Sequence, residues 1–169
     1  FDMGGTTAKI CLLTDGEPER ARKFEIARAY RDMKGSGIPV RIPVIEMVEI
    51  GAGGGSIARV DKLGRLTVGP DSAGSTPGPA AYGRGGTKPT VTDANIALGK
   101  IDPAFFAGGK IALDEQASVN ALAADIGKVL SLEAHWPAAG VAEIVEENMA
   151  NAARVHAIER GKDIASATM

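Results

Sequence analysis

Phe1-Asp2-Met3-Gly4-Gly5-Thr6-Thr7 constrains this chain more than any other stretch. An aspartate and a methionine run directly into two glycines and two threonines, the composition of a tight phosphate-binding turn. Glycines let backbone N–H groups approach an anion closely, and hydroxyls donate further bonds. The Asp2 carboxylate suits Mg²⁺, held directly or through water. The alternative is an ordinary β-turn. Strand–turn–strand context separates the two, and the apolar run from Ala8 to Leu13 supplies half of it. A strand should lead into the turn, yet the chain opens there, so a segment of a longer protein is expected.

The 169 residues suit one domain, or one with a small insertion. Apolar residues make up 44%, enough for a core, but with 4 Phe, 2 Tyr and 1 Trp that core must be built from Ala, Val, Ile and Leu. A net charge of −2 and the lack of a basic stripe with interleaved aromatics argue against a nucleic-acid partner. The single cysteine, Cys11, cannot form an internal disulfide and reads as a small buried hydrophobe. With only His135 and His156 there is no zinc constellation, and both histidines read as non-ligands. A reducing, cytoplasmic setting fits. No apolar run approaches the roughly 18 residues that span a bilayer, so no membrane role is expected.

Glycine is the outlier: 22 residues, 11 of them between Gly51 and Gly86. Residues 8–29 read as two strands, Ala8 to Leu13 and Ala21 to Ala29, around a turn at Asp15-Gly16. With a strand before Asp2 they would form a three-stranded meander. Residues 30–40 read as a polar connection, and Pro39 and Pro43 keep the chain extended. Val44 to Ile50 fits a buried strand or a short helix. Ile57 to Asp61 and Arg65 to Gly69 read as a hairpin around Lys62-Leu63-Gly64. Residues 70–89 form a long Gly/Pro/Ser/Ala loop, a length that is often functional.

Thr92 is a candidate cap for a helix from Asp93 to about Gly99. Asp114 caps a second, with Val119, Leu122, Ala123, Ile126, Val129 and Leu130 as its stripe. The clearest helix follows Trp136. Pro137 sits in its first turn, and Val141, Ile144, Val145, Met149, Ala152, Val155 and Ile158 recur at helical spacing. It should run about 24 residues and stop at Gly161.

Several residues invite two readings. Lys9 is a solvent-facing strand residue or a phosphate contact. Gly51-Ala52-Gly53-Gly54-Gly55-Ser56 is a flexible turn or a place of close backbone approach to a strand, helix or ligand. Asp71, Ser72 and Tyr82 are the polar groups of a loop packed on itself, or, for Asp71 and Ser72, substrate contacts. Asp93 complements a helix dipole or is a catalytic carboxylate. Glu143, Glu146 and Glu147 read as a solvated helix face, as do Glu159 and Arg160.

Phe1 to Lys9, Val48 to Ala58, Val68 to Gly83, Pro89 to Ala94 and Asn148 to Ala152 together resemble the hydantoinase A and 5-oxoprolinase family. That family includes N-methylhydantoinase subunits and acetone carboxylase β subunits. The order and spacing fit across nearly the whole chain. The resemblance implies an α/β fold of the actin, heat-shock chaperone and sugar-kinase type (RNase H-like), with a mixed sheet and helices. The chain would be a truncated half of it. Residues 1–29 would form the phosphate-loop meander, 44–99 the glycine-rich loops and hairpin, and 100–169 the helical part.

The implied cofactors are ATP and Mg²⁺. Asp2 would be catalytic and hold the metal, with Asp93 a second catalytic carboxylate. Gly4, Gly5, Thr6, Thr7, Lys9, Gly53, Gly54, Gly55 and Ser56 would bind the nucleotide, and Asp71 and Ser72 the substrate. The implied reaction is ATP-driven opening of a cyclic amide of the hydantoin or 5-oxoproline type. ATP phosphorylates the amide oxygen, because an unactivated amide carbonyl is a poor electrophile, and Mg²⁺ and backbone donors stabilise the moving charge. A second hydantoinase B-type subunit or domain is the implied partner. A ketone-carboxylase β-type subunit and a nucleotide-switched, non-enzymatic module are the alternatives. Many relatives carry Thr and Asp where this chain has Ala8 and Lys9, so a second metal-side carboxylate is missing from that position.

Overall fold

A computed structural model describes residues 1–27, 29, 35–133 and 135–168. Strands β1 (Asp2–Met3) and β2 (Ala8–Cys11) form an antiparallel hairpin whose bend is Gly4 to Thr7. The chain then runs out through β3 (Leu13–Thr14), β4 (Glu17–Pro18), β5 (Arg20–Ala21) and β6 (Phe24–Ile26). It returns through β7 (Ile38–Val40), β8 (Val44–Ile45) and β9 (Met47–Ile50). β3 pairs with β4, β6 with β7, β5 with β8, and β9 fills the free edge of β2. Every strand ladder among the described residues is antiparallel.

This corrects the meander reading. The third strand of the sheet is β9, not the segment from Ala21 onward. Asp15 (φ 53) and Gly16 (φ 82) both adopt the left-handed region that a two-residue hairpin turn requires. That local hairpin diverts the chain away from β2. The outgoing and returning arms then pair with each other, which carries 47–50 back alongside β2. It also settles Val44 to Ile50 as strand. The polar connection at 30–34 lies outside the described residues.

Alternation along β2 sets the faces of this sheet. Ala8 and Ile10 are buried, opposite half-buried Ile50 and Val48, while Lys9 and Glu49 point outward. Next come β10 (Ser56–Val60) and β11 (Leu66–Ser72), the expected hairpin with its first arm shifted by one residue and its second arm longer. Its turn is held by Asp61 Oδ1, which accepts from Leu63 N–H (2.8 Å) and Arg65 N–H (2.9 Å).

Helix α1 (Val91–Ala97) is buried on nearly every side and packs on α2 (Glu115–Leu122) and α4 (Trp136–Glu159). Its cap is Thr90, not Thr92. Thr90 Oγ1 accepts from Asp93 N–H while the Asp93 carboxylate accepts from Thr90 N–H, a reciprocal capping box. Asp114 caps α2 as expected. A π turn, Ala123–Gly127, then leads to α3 (Lys128–Leu130). The π turn inserts an extra residue and rotates the stripe. Ile126 and Leu122 are buried, but Ala123 and Val129 face solvent.

Helix α4 has the expected bounds. Val141 and Val145 join the core with Val91, Ala94, Leu122 and Ile126. Burying each such branched side chain contributes on the order of 2 kcal/mol. The stripe fails at the C-terminal end. Val155 and Ile158 are exposed, and His156 and Ala157 are buried instead, His156 Nε2 without a hydrogen-bond partner. There the helix packs on the short turn Ile164–Ser166, and ion pairs from Arg160 to Glu46 and from Lys162 to Glu19 tie its end to the strands. No helix of the described residues is long and apolar enough to cross a membrane.

Candidate functional site

Gly4 N–H donates to Thr7 C=O (2.9 Å) and closes the bend between β1 and β2. The next two carbonyls face the second glycine run. Gly4 C=O accepts from Gly54 N–H (3.0 Å) and Gly5 C=O from Gly55 N–H (2.7 Å). In a trans peptide the C=O and the following N–H point in opposite directions. The peptides here are trans. The N–H groups of Gly5 and Thr6 are therefore turned away from the 53–55 loop, toward the open side of the hairpin. An anion placed there would meet two backbone donors and the exposed Thr6 side chain.

The second glycine run is the frame of that turn. Ser56, fully buried, uses Oγ to accept from Gly53 N–H (3.0 Å). Gly54 C=O accepts from both Thr92 N–H (2.8 Å) and Thr92 Oγ1 (2.9 Å), and Gly55 C=O accepts from Ala73 N–H (2.8 Å). The loop thus joins the turn, α1 and the end of β11. A side chain does not fit between them. A Cβ at Gly53 would lie 2.7 Å from the Gly5 and Thr6 backbone, and one at Gly55 would lie 2.9 Å from Gly5 O.

The opposite wall is the 73–86 loop, and Asp93 holds it. The Asp93 carboxylate is fully buried and accepts five bonds. Ala81 N–H (2.9 Å) and Ser118 Oγ (2.8 Å) donate to Oδ1. Ala80 N–H (3.2 Å), Thr90 N–H (2.9 Å) and Thr90 Oγ1 (2.8 Å) donate to Oδ2. The short turn Ala80–Tyr82 is anchored in this way to α1 and α2. Tyr82 follows, its ring tilted against Phe106 at 5.9 Å, with the Arg84 guanidinium 5.7 Å from its centre. Burial pushes the Tyr82 phenol above its ordinary value. The Arg84 charge opposes this rise and the Asp93 charge adds to it. Tyr82 is therefore a neutral donor at physiological pH.

Between the walls lies an open cleft of about 260 Å³. Gly5, Thr6, Gly55 and Thr92 line one side, and Gly74, Ser75, Pro79 and Tyr82 the other. Of the residues expected from the sequence, Gly5, Thr6 and Gly55 meet here. Gly4 and Thr7 close the bend, while Gly53 and Ser56 are buried behind it. Asp2 and Lys9 are cross-strand partners on the outer face of the sheet, and Lys9 also faces Glu49. Asp71 pairs with Arg59 at 2.6 Å on the β10–β11 hairpin, and Ser72 Oγ accepts from Gly74 N–H (3.1 Å). Among the described residues, no group of three or more His, Cys, Asp or Glu is gathered to hold a metal.

Sequence reasoning left Thr92, Ser75 and Tyr82 out of the site. Tyr82 carries a signal that could have found it, as the single aromatic in the Gly/Pro/Ser stretch 70–89.

Comparison with known proteins gives this arrangement a family. The hydantoinase/oxoprolinase family model matches residues 1–169. Caprolactamase subunit alpha of Pseudomonas jessenii is 41% identical over 162 residues, 96% of this chain and 22% of that subunit. The 5-oxoprolinase of Saccharomyces cerevisiae is 43% identical over 106 residues, 63% of this chain and 7% of that protein. Among solved structures, nucleotide-free acetone carboxylase, described under ATP-dependent acetone carboxylation, matches with a TM-score of 0.80 and 32% identity. That match covers 98% of this chain and 22% of the other. The ATP-dependent caprolactamase from Pseudomonas jessenii matches with a TM-score of 0.77 and 39% identity, covering 96% of this chain and 22% of the other. This chain therefore spans less than a quarter of the length of these relatives, and its mixed α/β architecture with small antiparallel sheets is theirs. The chain belongs to the hydantoinase/oxoprolinase family.

Proposed function

We propose that this chain is the phosphate-turn segment of an ATP-dependent cyclic amidohydrolase. The observation that carries the reading is the orientation of the Gly5 and Thr6 N–H groups. Both are directed away from the supporting loop by the bonds their neighbouring carbonyls make to Gly54 and Gly55. They are free to meet phosphate oxygens, with Thr6 and Thr7 adding hydroxyls.

Asp2, at the foot of the turn, fits Mg²⁺ bound to phosphate. Such an ion commonly takes one or two carboxylates and fills its remaining positions with phosphate oxygens and water. Lys9, beside Asp2, supplies positive charge toward the same anion. When bound, ATP would transfer its γ-phosphoryl group to the amide oxygen and release ADP. Water would then add to the activated carbon, and the ring C–N bond would break with protonation of nitrogen to leave an acyl phosphate. A second water would release phosphate and leave the carboxylate. We assign Asp93 to anchoring the far wall rather than to chemistry, because five donors saturate it in a fully buried position. Gly53, Gly54 and Ser56 support the turn from behind. A second hydantoinase B-type subunit is the partner we infer, since the caprolactamase relative is itself named as a subunit.

The second reading is a subunit of an ATP-dependent ketone carboxylase, favoured by the fit to acetone carboxylase. ATP turnover by the full-length protein with its partner, measured with hydantoins, 5-oxoproline and ketones, separates the two. Turnover that needs a cyclic amide and collapses in Asp2→Asn supports the first reading. Turnover that needs a ketone and bicarbonate supports the second. Turnover with none of them contradicts both.

A further inference from the structure

The cleft has a second wall that the phosphate turn does not use. All eight residues lining it are uncharged. Its hydroxyls are not equivalent. Thr92 Oγ1 donates its hydrogen to Gly54 C=O, so toward the cleft it can only accept. Ser75 and Tyr82 hydroxyls make no hydrogen bond among the described residues and remain available as donors. The Tyr82 ring is fixed on several sides: Phe106 and Arg84 pack on it, and Gly78 lies so close that a Cβ there would stand 2.7 Å from the ring. Arg84 also donates to Ser75 C=O (3.3 Å), which joins the two hydroxyl-bearing residues into one unit. A tyrosine held in this way has lost its rotamer freedom before any ligand arrives, so a bond from its hydroxyl costs little entropy. At about 260 Å³ the cleft is smaller than the usual ligand site of about 300–1,000 Å³, which limits the acceptor to a small molecule.

We propose that Tyr82 and Ser75 orient the phosphoryl acceptor, a small neutral carbonyl compound, with its oxygen toward the Gly4–Thr7 turn. This rests on the phosphate-turn reading above. It adds the residues that select the acceptor, and it adds a charge rule. The lining hydroxyls and glycines satisfy a carbonyl but bring no charge of their own to a carboxylate, and the nearby Arg84 cation is already engaged by the Tyr82 ring and Ser75 C=O. The acceptor site therefore favours an uncharged lactam, hydantoin or ketone over the same ring bearing a carboxylate.

The test uses the full-length protein with its partner and the pair 2-pyrrolidone and 5-oxoproline, which differ by one carboxylate, together with hydantoin and acetone. We expect a neutral compound to stimulate ATP turnover with a lower KM than 5-oxoproline. We expect Tyr82→Phe, which keeps the ring and its packing, to raise that KM about tenfold, the size of one hydrogen bond to a neutral group. ATP binding, read as an ATP-dependent rise in Tm without acceptor, should be unchanged in that variant. Three results would overturn the proposal while leaving the phosphate turn intact: Tyr82→Phe with the wild-type acceptor KM, 5-oxoproline as the preferred acceptor, or no stimulation by any of the four compounds despite ATP binding. A Tyr82→Phe variant that loses ATP binding would also overturn it, by moving Tyr82 to the nucleotide. A wild-type protein that shows no rise in Tm with ATP would instead remove the functional reading itself, and this proposal with it.

Discussion

A methyl group added at Gly5 would meet nothing within 4 Å, whereas one added at Gly53 would lie 2.7 Å from the backbone of Gly5 and Thr6. The two glycine runs touch through two hydrogen bonds and look alike as text, yet glycine is present in each for a different reason. In the first run the absent side chain leaves an open approach to two N–H groups. In the second it lets one backbone lie directly on another. Neither case rests on left-handed backbone, since none of Gly4, Gly5, Gly53, Gly54 or Gly55 has a positive φ. Space alone decides, and space differs between residues that hydrogen-bond to each other.

Substitutions can break or sharpen this contrast. The largest effect should come from the frame that both runs depend on. Asp93→Asn puts an amide NH₂ or a weaker acceptor against five buried donors, and should cost about 3 kcal/mol or more, read as a lower denaturation midpoint. A midpoint near wild type would mean that the 73–86 loop does not hang on Asp93. Gly53→Ala comes next. Its methyl meets backbone on three atoms and cannot be relieved by a rotamer change, so it should cost about 2–3 kcal/mol. Gly54→Ala meets only Thr92 Oγ1, at 2.8 Å, which can rotate away at the loss of one hydrogen bond; about 1 kcal/mol is expected. If Gly53→Ala proved no worse than Gly54→Ala, the close packing of the two runs would be wrong. Gly5→Ala should be the mildest for folding, within about 0.5 kcal/mol of wild type.

The contrast also marks where sequence reasoning reached its limit. The bounds of α4 were legible because Pro137, a helical apolar period and Gly161 are all local signals. The β10–β11 hairpin was legible from Asp61, Gly64 and the apolar runs beside them. Pairing of β2 with β9 was not, because it depends on a chain segment that leaves and returns, and no local signal names the partner. The helix cap was misplaced by two residues between two threonines. The spacing Thr90-Val91-Thr92-Asp93 carries the capping box that decides it. The face shift after Leu122 follows from a π turn, which leaves no clear mark in the pattern. At the site, the turn itself was visible, but the separation of ligand-facing from packing glycines was not. Composition reports that a residue lacks a side chain, and only the fold reports what occupies the vacant space.

The most direct measurement is thermal stability of the full-length protein with and without ATP and Mg²⁺, for wild type beside Gly5→Ala. The account predicts nearly equal Tm values without nucleotide, a clear ATP-dependent rise for wild type, and loss of most of that rise in Gly5→Ala. A Gly5→Ala protein that gains as much from ATP as wild type would contradict the claim that the Gly4–Thr7 turn receives the phosphates.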